Sequence, residues 1–81
     1  MITGSQIRAA RAVLRISAIE LAAKAEVGEQ TIKRFEASEG VPPSRSSTLI
    51  EVQKALEAAG IEFIGTPEDR PGIRINLKQQ T

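Results

Sequence analysis

Glu29, Gln30, Lys33 and Arg34 fall within one short stretch, EQTIKRFEA, in which Ile32 and Phe35 stand three residues apart. At helical spacing the two apolar residues face inward and the four polar ones are left on other faces. A carboxylate, an amide, an ammonium and a guanidinium displayed this way can exchange hydrogen bonds with a polar partner, or simply form a solvated face. Covalent and metal chemistry is disfavoured by what is missing. The 81 residues contain no Cys and no His. That removes thiol reactions, disulfides, zinc fingers and imidazole acid–base catalysis together. Ser, Lys, Asp and Glu remain, in no spacing that suggests an active site, and there is no Gly-rich phosphate loop. Ser17 reads as a helix cap before anything else. The expectation is a protein that is not an enzyme and needs no cofactor or metal ion.

The elements that must hold this stretch can be read from caps and periodicity. Thr3 with Gln6 forms a capping box, and a helix follows to about Leu14 with Ile7, Ala10 and Leu14 on one face. Arg8 and Arg15 are expected to point to solvent. Ser17 with Glu20 is a second capping box, opening a helix of about two turns that breaks at Ala25-Glu26-Val27. Gly28 caps the third helix, and Glu29 at its first position suits the positive end of the helix dipole. Ser38 to Ser47 reads as a loop around Pro42 and Pro43. A fourth helix is expected from about Ser47 to Ala58, with Leu49, Val52 and Leu56 inward and Gly60 as its stop. A short strand, Ile61 to Ile64, then precedes a turn from Gly65 to Gly72. The last run alternates Ile73, Ile75 and Leu77 with Arg74, Asn76 and Lys78, which predicts a hairpin with one apolar face. Residues from Lys78 on read as a frayed tail.

Composition bounds the partners. With 41% apolar and 26% charged residues the chain is expected to be globular, and 81 residues suffice for one domain. No apolar run approaches the ~18 residues of a membrane span, and the N-terminus lacks the build of a signal peptide. A cytoplasmic location and no membrane partner are expected. Eleven basic against ten acidic residues leave a net charge of +1, so basic groups would have to cluster on one face to attract nucleic acid. With no Trp, no Tyr and two Phe, single-strand binding by base stacking is not expected.

Two short helices joined by a three-residue break, flanked by a helix on either side, resemble the Cro/CI-type (XRE-like) helix-turn-helix family of transcriptional regulators. The matching segment is SAIELAAKAEVGEQTIKRFE, Ser17 to Glu36, and the resemblance spans about Ile2 to Gly60. Leu21 and Ala22 match the family's Leu-Ala pair. Val27, Thr31, Ile32 and Glu36 fall where the family has Val, Ser/Thr, Ile and Glu. The spacing has a physical reason: helices two and three must cross closely, so Ala22 is small, while Leu21, Val27 and Ile32 fill the angle between them. The chain departs from the family pattern at Glu26, where Gly is usual and a left-handed backbone is often needed, and at Gly28, which replaces a Ser or Thr cap. Glu26 and Glu29 thus flank the tip of the third helix.

The resemblance implies a mainly α, lambda-repressor-like four-helix domain over residues 1–60, to which the alternating pattern adds a C-terminal two-stranded β-hairpin over residues 61–78, read as part of the same domain. It implies that the third helix enters the major groove of double-stranded DNA, with Glu29, Gln30, Thr31, Lys33 and Arg34 at the base edges. Ser17 and Ala18 would lie on the DNA backbone, as would Ser44, Arg45 and Ser46 in the following loop. Arg11 and Glu36 match a structural ion pair of the family. The implied function is a sequence-specific regulator, a homodimeric repressor of a pseudo-palindromic operator, with Ile61, Phe63, Ile73, Ile75 and Leu77 expected at the dimer interface. Ile19 and Glu20 would be placed for a contact with RNA polymerase. The alternative is a protein-binding module of the same fold, an antitoxin or antiactivator, which the acids Glu26 and Glu29 and the apolar Ile19 favour.

Overall fold

Thr3 and Ser17 open the first two helices through the reciprocal bonds of their capping boxes. In each, the hydroxyl accepts the N–H three residues on, and Gln6 or Glu20 reaches back to the cap's own N–H. The computed structural model describes residues 1–43 and 46–76. It runs α1 (Gly4–Leu14), α2 (Ala18–Ala25), α3 (Glu29–Glu36), α4 (Ser46–Ala58), β1 (Ile61–Thr66) and β2 (Asp69–Ile75).

Both α1 and α2 end in the same way. Arg15 and Glu26 take a left-handed backbone, each with φ 59°. The next residue, Ile16 or Val27, donates its N–H back five residues to Arg11 O or Ala22 O. This is the Schellman arrangement, and Ile16 and Val27 pack on the core as its hydrophobic partners. Val27 therefore both closes α2 and fills the angle to α3.

One core serves all six elements. Ile7 and Ala10 from α1, Leu21, Ala22 and Ala25 from α2, Ile32 and Phe35 from α3, Leu49, Val52 and Leu56 from α4, and Ile61 from β1 are all buried. Ala25, expected in the break after the second helix, instead lies inside α2 and inside this core. The α3 helix stops at Glu36, one residue short of the expected end, with Ala37 as its cap. The α4 helix starts one residue earlier than expected, at Ser46. Among the described residues no helix is long and apolar enough to cross a membrane.

The hairpin departs most from expectation. The strands run further than predicted, and only Pro67 and Glu68 lie between them. Pairing is antiparallel, with Ile61 opposite Ile75 and Phe63 opposite Ile73. The register shifts beyond Ile64–Gly72, so Gly65 faces both Arg70 and Pro71 before Thr66 meets Asp69. Gly65 (φ 76°) and Arg70 (φ 52°) absorb the extra residue in left-handed conformations. A bulge is also where Pro71, which has no N–H for the ladder, can be tolerated. The Gly- and Pro-rich composition that reads as an open turn is thus spent on a bulge within the strands.

Gln6 fixes the hairpin to the helices. Its Oε1 accepts the Thr3 N–H at 2.8 Å, while its Nε2 donates to Ile64 O at 3.2 Å and Gly72 O at 2.8 Å. One buried amide therefore caps α1 and binds both strands at a facing pair. The apolar face of the hairpin turns onto the chain's own core: Ile61 is buried, and Phe63 and Ile73 pack against the same cluster. Of the residues expected at a dimer interface, Ile61 is thus buried, Phe63 and Ile73 are half-buried, Ile75 is well exposed at 49%, and Leu77 lies outside the described residues.

Candidate nucleic-acid interface

The α3 helix is held from behind. Ile32 and Phe35 are fully buried, and Glu36 is buried beside them. Glu36 receives the Arg11 guanidinium in a two-pronged pair, Nε to Oε2 at 2.8 Å and the second prong to Oε1 at 2.9 Å. A third Arg11 nitrogen donates to Ile16 O at 3.2 Å. One side chain thus ties α1 to α3 and to the turn before α2. The hydrogen bonds to Glu36 are the main reason that the Arg11 pKa is raised above its ordinary value. This fork-on-carboxylate geometry is the strong form of an ion pair.

Two further contacts fix α3 and had no simple sequence signal. Arg8, expected to point to solvent, is exposed over much of its length but donates to the Glu36 carbonyl and, at 3.2 Å, to Ser5 Oγ. A guanidinium at the C-terminal carbonyls of a helix complements its dipole. Gly4 approaches the same end so closely that a Cβ there would sit 2.0 Å from Ser38 O and 2.1 Å from Phe35 O. The Gly4 N–H donates to Gly40 O at 3.0 Å.

With that side locked, Gln30, Lys33 and Arg34 form the exposed stripe of α3 at helical spacing. Thr31 is half-buried at its flank. Glu29 lies one turn before Lys33 on the same helix face, and the two pair at 3.1 Å. The Arg34 guanidinium lies 5.8 Å from the centre of the Phe35 ring, a distance that gives the cation a favourable aromatic neighbour. Gly28 caps α3 in extended backbone without a side-chain bond.

Beside α3, Ser17 is exposed and Ala18 half-buried at the start of α2. The Ser17 hydroxyl is occupied as the helix cap. The amides of Ala18 and Ile19 have no partner within a helix by geometry and point out from its end. The Glu20 carboxyl is held below its usual range, chiefly by the hydrogen bond from the Ser17 backbone. Of the three loop residues expected at the other flank, Ser44 and Arg45 lie outside the described residues. Ser46 begins α4, and its side chain lies outside the description. Ile19 stands out on α2 as 61% exposed. Among the described residues no group of three potential metal ligands occurs. No protein-family model matches the chain, and no curated protein matches it.

Proposed function

We propose that the chain is a cytoplasmic, sequence-specific double-stranded DNA-binding regulator of the Cro/CI helix-turn-helix type, without catalytic activity, acting as a homodimeric repressor. The observation that carries this reading is the division of α3. One side is locked by Ile32, Phe35 and the Arg11–Glu36 pair, and the other displays Gln30, Lys33 and Arg34 to solvent. A helix with its side chains is about 10–12 Å across and the major groove about 12 Å wide, so such a stripe can reach base edges. Gln30 suits adenine and Arg34 guanine, each through two bonds. The free amides at the start of α2 suit a phosphate and set the register.

A domain this small reads few base pairs alone, so two copies on a pseudo-palindrome are the natural unit, with half-sites about one helical turn apart. The dimer contact is assigned to the outer part of the hairpin around Ile75. Repression then follows by covering a promoter, and Ile19 and Glu20 face outward where polymerase would pass. The exposure of Ile19 also favours a second reading, a protein-binding module such as an antitoxin or antiactivator. Titration of a mixed-sequence duplex across salt concentrations separates them. DNA binding through cations gives affinity that falls linearly on a log–log plot with a slope of several. A folded protein that binds no duplex at low salt contradicts the reading.

A further inference from the structure

Lys33 is an exposed cation on the face of α3 assigned to DNA, yet it is already paired with Glu29 at 3.1 Å. The pair spans one helical turn, with the Lys33 side chain 56% and the Glu29 side chain 36% exposed. It fits poorly against a DNA backbone. An ammonium already beside a carboxylate gains less from phosphate, and the carboxylate itself is repelled. It fits a base edge better, because there a hydrogen-bond acceptor and a donor are presented side by side.

We propose that Glu29 and Lys33 act as one reading unit for a single C·G base pair, the Glu29 carboxylate accepting from cytosine N4–H and the Lys33 ammonium donating to guanine O6 and N7. This rests on the DNA-binding reading above and specifies part of its half-site. Taken separately, a glutamate selects the cytosine amino group and a lysine the guanine acceptors. Held 3.1 Å apart, they demand that donor and acceptor stand next to each other on one edge. A C·G edge meets this and gives the ammonium two adjacent acceptors. An A·T edge also offers an amino donor, but its acceptors lie on opposite sides of that donor, so the ammonium reaches one. Gln30 and Arg34 form the next row of the same helix and read other positions. The unit also restrains non-specific binding, since the Glu29 charge beside Lys33 offsets its attraction to phosphate.

Parallel selections from a random duplex library with the wild-type protein, Glu29→Gln and Lys33→Ala test this, with folding of each checked by circular dichroism. The expected wild-type half-site carries one fixed C·G pair. Both variants lose preference at that same position, by about tenfold or more, and keep it elsewhere. On random duplex, Glu29→Gln steepens the log–log salt slope by about 0.9, the worth of one released lysine. If the two variants relax different positions, or the shared position is A·T, the unit is overturned while DNA binding stands. If the folded wild-type protein enriches no sequence, both the unit and the DNA reading fall.

Discussion

Removing the Glu36 side chain tests how α3 is held. Glu36→Ala leaves the Arg11 guanidinium without the carboxylate that takes two of its nitrogens at 2.8 and 2.9 Å. Breaking a fully buried pair costs about 3–5 kcal/mol. Here the Arg11 side chain is 29% exposed and keeps its bond to Ile16 O, so water and that carbonyl recover part of the loss. The expected cost is about 2–3 kcal/mol. At roughly 4–8 °C per kcal/mol for a domain of this size, the Tm falls by about 10–20 °C. Glu36→Gln keeps one acceptor and loses the charge, and should cost about half as much. The double variant Arg11→Met with Glu36→Leu removes both charges together and should recover much of the loss, because the desolvation of both ions disappears with their attraction. Guanidinium chloride unfolding monitored by circular dichroism gives all three values. A cost below about 0.5 kcal/mol for Glu36→Ala would show that the pair is a bystander and that apolar packing alone holds α3.

Gln6→Glu separates the two roles of one side chain: a carboxylate can still accept from Thr3 N–H, but it faces Ile64 O and Gly72 O with no proton to donate. The cost at neutral pH should be about 2–3 kcal/mol from two lost bonds and a poorly solvated charge, and it should shrink as acid protonates the new group; equal stability at both pH values would refute the clamp. Gly4→Ala forces a methyl group onto two backbone carbonyls and should destabilise by about 1–3 kcal/mol or more, although alanine favours helices; a stabilised variant by thermal melting contradicts the close approach. Glu26→Gly relieves a left-handed non-glycine residue and should stabilise by up to about 1 kcal/mol, with part of the gain offset by a freer unfolded chain. A lower Tm for that variant would count against the strain argument. Arg34→Ala should weaken cognate duplex binding by about 1–3 kcal/mol in anisotropy titrations and relax selectivity at one position; unchanged selectivity would mean that the docking register is wrong.

Local rules carried the helical part of the fold into view. Thr3 with Gln6 and Ser17 with Glu20 mark their helix starts because a capping box needs nothing beyond four residues. The inward positions Ile7, Ile32, Phe35, Leu49, Val52 and Leu56 follow from periodicity, and all are buried. What escaped depends on approach between distant segments. Nothing local marks Gly4, whose lack of a side chain matters only where the end of α3 comes against it. Gln6 reads as a cap, and nothing local shows that Ile64 and Gly72, 58 and 66 residues away, use its other end. Arg8 reads as solvent-facing because its acceptor is a backbone carbonyl, which no side-chain pattern records. The hairpin itself is legible in the alternation around Ile73 and Ile75, but the length of its turn is not, for a related reason: Gly65 and Pro71 signal a turn by composition, whereas a bulge needs the same residues. The polar stripe of α3 is legible, and so in principle is the pairing of Glu29 with Lys33, whose i,i+4 acid–base spacing carries that signal.

The central claim is that α3 reads duplex sequence and that two copies do so together. Selection of the wild-type protein against a random duplex library, at near-physiological salt, tests it most directly. An enriched inverted repeat whose half-sites lie about one helical turn apart is the expected result. A library that emerges unenriched from protein shown to be folded would contradict it, and would turn attention to a protein partner for the face around Ile19.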